Sequence, residues 1–183
     1  SSAQNIIKCA NRTGLAVKEL VLQPLASSAS TLHEDEKELG VVLVDIGGGT
    51  TDIAVIKAGS IRHTSVLALG GDHITSDIAV GLRTSLKQAE DLKIQHGSAC
   101  ACPEAKDDNI EIATVGNGGT RTVSRKFLCR IIQSRVEEIF ILVRREIAKS
   151  GYREFMTPGV VLTGGTSLLQ GISACAERVL DLS

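Results

Sequence analysis

The feature that most narrows the fold is Val41-Val42-Leu43-Val44-Asp45-Ile46-Gly47-Gly48-Gly49-Thr50-Thr51-Asp52-Ile53-Ala54-Val55-Ile56. Its aliphatic, β-branched start predicts a buried strand. The run ends in an aspartate, three glycines and two threonines, and a second apolar run follows at once. The order is therefore strand, glycine turn, strand. A dinucleotide-binding fingerprint or a P-loop passes through its glycines into a helix, and the P-loop adds Gly-Lys-Ser/Thr. Ile53 to Ile56 is too rich in β-formers, and too soon interrupted by Ala58-Gly59, to be that helix. A hairpin whose turn amides face a ligand is the expectation.

The turn's chemistry suggests the ligand. Gly47, Gly48 and Gly49 carry no Cβ, so a phosphate can approach the main chain, and they permit positive φ. Thr50 and Thr51 offer hydroxyl donors. Asp45 and Asp52 flank the turn and are placed to hold Mg²⁺ through water, since magnesium keeps several of its waters. A tight hairpin with two solvated acids is the plain alternative; an aspartate on either side favours phosphate and metal.

A second signal lies far downstream. Val160-Val161-Leu162-Thr163 reads as another apolar strand, ending in Gly164-Gly165-Thr166-Ser167 before a helix expected over Leu168 to Leu180. Two glycine-ended strands converging on one crevice make a nucleotide site in an open α/β sheet.

The remaining chain supplies a frame for that crevice. Asn5 to Gly14 has helical spacing, and Val17 to Leu22 reads as a short β-type run. Gln23-Pro24 opens a further helix, with Gln23 at a junction where an amide can orient a water or simply face solvent. The acids of His33 to Glu38 read as a solvated segment. Ser60 to Leu69 predicts a third, antiparallel strand. Gly70-Gly71-Asp72 then turns into a helix over Ile74 to Leu82, and Gly71 brings another amide towards a phosphate; His73 reads as a surface residue. Leu86 to His96 predicts a helix with Glu90 and Lys93 at i, i+3, which is first of all an ion-pair spacing. Asn109 to Val115 and Thr120 to Val123, around Asn117-Gly118-Gly119, predict a small β unit.

Ser124 to Ser150 is the longest helical pattern. Phe127, Ile131, Ile132, Val136, Ile139, Phe140 and Val143 form its expected apolar stripe. Arginines dominate the rest, either as a solvated face or as a basic face for an acidic peptide.

Composition closes off other classes. A net charge of −1 and 2 % aromatic residues give no basis for nucleic-acid binding. No apolar run reaches the ~20 residues that span a bilayer. Five cysteines include Cys100 and Cys102, but no second Cys/His pair completes a tetrahedral metal set, and reduced thiols are expected.

The two glycine motifs, Asp45 to Asp52 and Val161-Leu162-Thr163-Gly164-Gly165, together resemble the second phosphate loop and the adenosine motif of the actin-like ATPase superfamily. Ala89-Glu90-Asp91-Leu92-Lys93 resembles the helix whose Glu and Lys approach ribose and adenine in that group. Leu25-Ala26-Ser27-Ser28, Glu34 to Gly40, Arg62-His63-Thr64, Thr75 to Ala79 and His96-Gly97 narrow the resemblance to the FtsA cell-division family.

The resemblance implies an α/β lobe of the actin-like (ribonuclease H-like) ATPase fold with an inserted outer subdomain. Residues 1–75 and 157–183 would form the inner subdomain, and 76–156 the outer one. ATP and Mg²⁺ would lie in the crevice, with Asp45 and Asp52 on the metal side and Gln23 where an attacking water is oriented. Gly47 to Thr51 and Gly71 would face phosphate, and Glu90, Lys93, Gly164, Gly165 and Thr166 the nucleoside. At most weak ATPase activity is implied. Arg121, Arg135 and Glu138 would receive the C-terminal tail of the tubulin-like division protein FtsZ. Self-association into actin-like filaments, contacts with other divisome proteins and a cytoplasmic place at the division site are implied too. No first phosphate loop is expected here, and membrane attachment would use a C-terminal helix absent from this chain, which would be a second lobe. The alternatives are a pilus-assembly adaptor or a chaperone-like or sugar-kinase-like enzyme.

Overall fold

The structure, a computed structural model, describes residues 2–100, 109–113, 119–152 and 159–181. The chain begins with helices α1 (Ser2–Arg12), α2 (Gln23–Thr31) and α3 (Glu34–Leu39). Strands β1 (Val41–Ile46), β2 (Thr51–Lys57) and β3 (Ser60–Leu67) follow, then α4 (Gly71–Gly81) and α5 (Leu86–His96). A hairpin of β4 (Asn109–Ala113) and β5 (Thr120–Ser124) leads into α6 (Arg125–Ser150), β6 (Val160–Thr163), a 3₁₀ turn (Gly165–Leu168) and α7 (Ile172–Leu180).

The central sheet has the order β3-β2-β1-β6. β1, β2 and β3 form the expected antiparallel meander, while β6 joins β1 in parallel. Alternation along β1 and β2 then divides the core. Val42, Val44, Ile46, Ile53 and Val55 face one side, in a cluster continued by Ile74, Ile78, Ile132, Val136 and Phe140. Val41, Leu43, Ala54 and Ile56 face the other, with Leu32. Burying both faces explains why these strands are aliphatic almost throughout.

The 26-residue α6 joins the parts. It packs on α7, on the sheet through β2 and β3, and on α4 and β5. Its buried residues are Leu128, Cys129, Ile132, Val136, Ile139, Phe140, Val143 and Ile147. Phe127, expected in that stripe, is instead 48 % exposed. The stripe starts one residue later, because the helix's inner face is set by its packing partners and not by the first apolar residue.

Three other expectations change. Val17 to Leu22 is not a strand; Leu20, Val21 and Leu22 are exposed, and no described strand lies beside them to supply a ladder. The acidic segment is a short helix, α3, whose Glu36 side chain accepts from the His33 backbone N–H at 2.7 Å. The final helix starts later than Leu168, because Gly171, at φ +75°, separates the 3₁₀ turn from α7. The Asn117-Gly118 turn, Cys102, position 157 and Ser183 lie outside the described residues.

Candidate functional site

Parallel pairing of β1 and β6 sets Asp45 beside Thr163, so both glycine turns leave the sheet at one end. Thr166 Oγ1 then donates to the Gly47 carbonyl at 3.1 Å. Gly164 sits at φ +86°, and a Cβ there would lie 2.5 Å from both the Asp45 carboxylate and the Ile46 carbonyl. Conformation and space both demand glycine.

The start of α4 is fastened to the same turn. Gly71 N–H donates to the Gly47 carbonyl at 2.9 Å, and Asp72 N–H to the Gly48 carbonyl at 2.8 Å. A Cβ on Gly70 would meet those carbonyls at 2.6 and 2.5 Å, so the approach exists only for glycine. His73, expected as a surface residue, turns its Nδ1 back to accept from the Gly70 N–H at 3.2 Å. Within the turn, Gly47 N–H donates to the Thr50 carbonyl, while the N–H groups of Gly48 and Gly49 have no acceptor among the described residues. Successive amides of this kind form an anion-binding concavity.

A crevice of about 450 Å³ opens beside these turns. Gly47, Gly48, Gly71, Glu90, Lys93, Gly165 and Thr166 line it, all sequence-predicted. The volume is within the usual range for a small-molecule site. Lys93 is nearly buried: its ammonium donates to the Gly71 carbonyl at 3.1 Å and to Thr75 Oγ1 at 2.9 Å, and pairs with Glu90 at 2.7 Å. Thr75 in turn donates to Glu90. Burial works to raise the Glu90 carboxyl, but hydrogen bonds from Lys93 and Thr75 and the Lys93 charge outweigh it and hold it below the ordinary range. The pair at i, i+3 is thus both an ion pair and part of the wall.

A second group lies outside that lining. Asp45 points to the α2 face, as its parity with Val41 and Leu43 requires. There its Oδ2 accepts from Gln23 Nε2 at 3.1 Å and from Ser27 Oγ at 3.0 Å. Asp52 is its direct cross-strand neighbour and accepts from Thr50 Oγ1 at 3.1 Å. Gly49, Thr50, Thr51 and Gly164 do not line the crevice either. Thr51 corrects the sequence expectation: its side chain is fully buried and its hydroxyl donates to the Leu69 carbonyl at 2.8 Å, so it serves the fold.

No group of three or more His, Cys, Asp or Glu residues suited to a metal exists among the described residues. Two neighbouring carboxylates fit a magnesium that keeps its waters and leans on phosphate, and do not make an all-protein cage.

On the outer surface, Arg135 is not the open cation expected. Its Nε and Nη2 reach Asp77 Oδ2 and Oδ1 at 2.6 and 3.1 Å, and its Nη1 reaches Glu138 at 2.5 Å. Arg121 stands on β5 opposite Ile112, with Nη2 buried and unpartnered among the described residues. It shares no hydrogen bond with Arg135 or Glu138.

Sequence reasoning missed Asp72, Ile94, Gln95, Gly97, Leu168, Leu169 and Gln170 as lining residues. Only the exposed aliphatics carried a signal, being large apolar residues outside any core-facing register: Ile94 is 71 % and Leu168 87 % exposed. Asp72 and Gln95 lie on helices α4 and α5, and their facing the crevice is set by how those helices pack.

Comparison with known proteins adds the following. A family model described as "Cell division protein FtsA" matches residues 42–183. The chain is 49 % identical over 183 residues to the cell division protein FtsA of Neisseria meningitidis, matching 100 % of this chain and 44 % of that protein. Against the FtsA of Pseudomonas aeruginosa identity is 46 % over 182 residues, with the same coverage. The chain thus spans less than half the length of these relatives. Among solved structures, MreB5 of Spiroplasma citri bound to ADP superposes with a TM-score of 0.81 at 22 % identity, covering 98 % of this chain and 58 % of that one. At that identity the likeness shows the fold, which is that of actin-like ATPases.

Proposed function

We propose, from the premise that this chain belongs to the FtsA cell-division family, that it supplies the nucleotide-facing wall and the partner surface of a division scaffold. The scaffold binds ATP, forms actin-like filaments and links FtsZ to the cytoplasmic membrane at the septum, among other divisome proteins. The observation that carries the nucleotide reading is the crevice: two glycine turns meet there, joined by the Thr166–Gly47 hydrogen bond, and the amides of Gly48 and the adjacent Gly49 have no acceptor among the described residues. Phosphates take those amides, and the nucleoside lies towards Glu90, Lys93, Gly165 and Thr166.

Asp45 and Asp52 are the residues that would hold Mg²⁺, which would supply charge neutralisation at the phosphates. Gln23, held to Asp45, is placed to order a water near them. The scaffold is at most a weak ATPase. Residues 1–75 and 157–183 form the inner part and 76–156 the outer part, with α4 crossing between them. The FtsZ tail docks on the outer part through Arg121, Arg135 and Glu138. The scaffold's membrane contact in this reading is peripheral; among the described residues no helix is long and apolar enough to cross a membrane.

The test uses full-length protein with a fluorescent FtsZ C-terminal tail peptide and Mg-ATP. Saturable peptide binding, weakened about tenfold or more by Arg135→Gln, is expected from loss of a charge-assisted contact. A folded protein that binds Mg-ATP and shows no peptide binding would overturn the partner reading while leaving the nucleotide one.

A further inference from the structure

We infer that Asp77 is a built-in competitor of the acidic partner for Arg135, forming a latch between α4 and α6 that binding must open. This rests on the reading above that Arg135 receives an acidic peptide. A guanidinium recognises a carboxylate best through a fork of two parallel N–H groups. In this structure that fork is already filled: Nε and Nη2 of Arg135 hold the two oxygens of Asp77. The remaining nitrogen, Nη1, points at Glu138. Three of the five guanidinium N–H groups are thus engaged, and an incoming carboxylate meets an arginine whose side-on fork is taken and whose charge is already offset by Asp77.

The two acids are not equivalent. Glu138 is one turn along α6 from Arg135, with its side chain 53 % exposed, and an exposed pair of that kind contributes little. Asp77 belongs to a different element, and its pair is the more sheltered, with side chains 23 % and 35 % exposed. The pair also crosses a tight helix contact. A Cβ on Gly81 of α4 would lie 2.6 Å from Ile131 Cδ1 of α6, so the glycine lets the helices approach beside the latch.

Helix α4 has a second attachment. Its first turn donates Gly71 and Asp72 amides to the carbonyls of Gly47 and Gly48 in the glycine turn. Asp77 lies six residues after Gly71, about 9 Å along a helix. One rigid helix thus touches the crevice at one end and, further along, holds Arg135 of α6. A ligand that shifts the first turn biases the latch, and by linkage the peptide biases the crevice by the same factor.

The test measures peptide affinity by fluorescence anisotropy on the full-length protein, at low salt, with and without Mg-ATP. Asp77→Asn keeps the shape and removes the charge. It should tighten peptide binding roughly two- to fivefold, the range expected for removing a partly exposed ion pair. The variant should also lose any dependence of peptide affinity on Mg-ATP that the unaltered protein shows. Glu138→Gln, which leaves the Asp77 fork intact and alters a docking residue, should not tighten binding. Asp77→Ser replaces the Asn variant if its thermal melt shows loss of fold. Unchanged or weaker binding by a folded Asp77 variant would overturn the latch while the partner surface stands. Tighter binding with an unaltered Mg-ATP dependence would leave the latch and overturn its link to the crevice. Absence of binding by every form would overturn the partner reading, and the latch with it.

Discussion

Thr166 and Gly47 are 119 residues apart in sequence and joined by a 3.1 Å hydrogen bond from a side-chain hydroxyl to a main-chain carbonyl. That carbonyl also accepts the Gly71 amide, so three separate segments meet on one oxygen. A phosphate-facing turn needs this kind of anchoring, because glycines that admit a ligand give no side chains to hold the turn.

Thr166→Ala should therefore lower stability by about 1 kcal/mol, the net worth of one hydrogen bond, and weaken ATP binding by more than Thr166→Ser does. Urea unfolding and a fluorescent ATP titration on the same preparations check this. Equal ATP affinity in the Ala and Ser variants would separate the bond from the site.

Gly70→Ala places a Cβ within 2.5 Å of the Gly48 carbonyl, whereas Gly49→Ala meets nothing within 4 Å. The first should cost about 1–3 kcal/mol through forced backbone shifts. The second should leave the melting temperature almost unchanged and reduce ATP affinity, since its Cβ lies where a phosphate would approach. A Gly70 variant as stable as the Gly49 variant would contradict the packing described.

Glu90 and Glu137 are both held below the ordinary carboxyl range. Burial opposes the shift at Glu90, where Lys93 and Thr75 prevail; at Glu137 the Arg178 hydrogen bond leads, followed by Gln133. A depressed folded value means the unfolded chain binds its proton first as pH falls. Their stabilisation is present above the ordinary carboxyl range and lost as pH drops through the depressed folded values. Lys93→Met should flatten the acid limb of a stability-against-pH curve measured by urea unfolding, with the loss of stability fullest near neutrality and fading as pH falls through the carboxyl range. An acid limb identical to that of the unaltered protein would remove Glu90 from the account.

Phe127→Ser should change stability by no more than about 0.5 kcal/mol, because the ring is half exposed. Phe140→Ala, with the ring fully buried against the sheet-facing core, should cost about 3–5 kcal/mol. Thermal melts of the two variants distinguish them directly.

Much of this was legible in residue order. Strands β1 to β3 and β6 appear where alternating or continuous apolar runs predict them, and α5 over the predicted span. The sheet meander followed from two short glycine turns. The crevice residues Gly47, Gly48, Gly71, Gly165 and Thr166 were named from the glycine motifs, and Glu90 and Lys93 from the family resemblance. Where the reading failed, the local pattern was ambiguous. Val17 to Leu22 has β-type residues, but a strand exists only beside a partner, and none of the described strands flanks it. Thr50 and Thr51 look alike in sequence, yet one step along the chain sends the second hydroxyl inward to Leu69.

The sequence by itself determined the four strands of the central sheet and where glycines interrupt them, and it proposed phosphate chemistry at those interruptions. These are local properties of periodicity and of missing Cβ atoms. Tertiary structure decided how the acidic and basic residues are used. Strand parity turned Asp45 away from the crevice lining and towards Gln23 and Ser27, and helix packing brought Asp77 onto Arg135 across 58 residues of chain. A charge advertises its sign in sequence, but its partner is whichever group the fold places within reach.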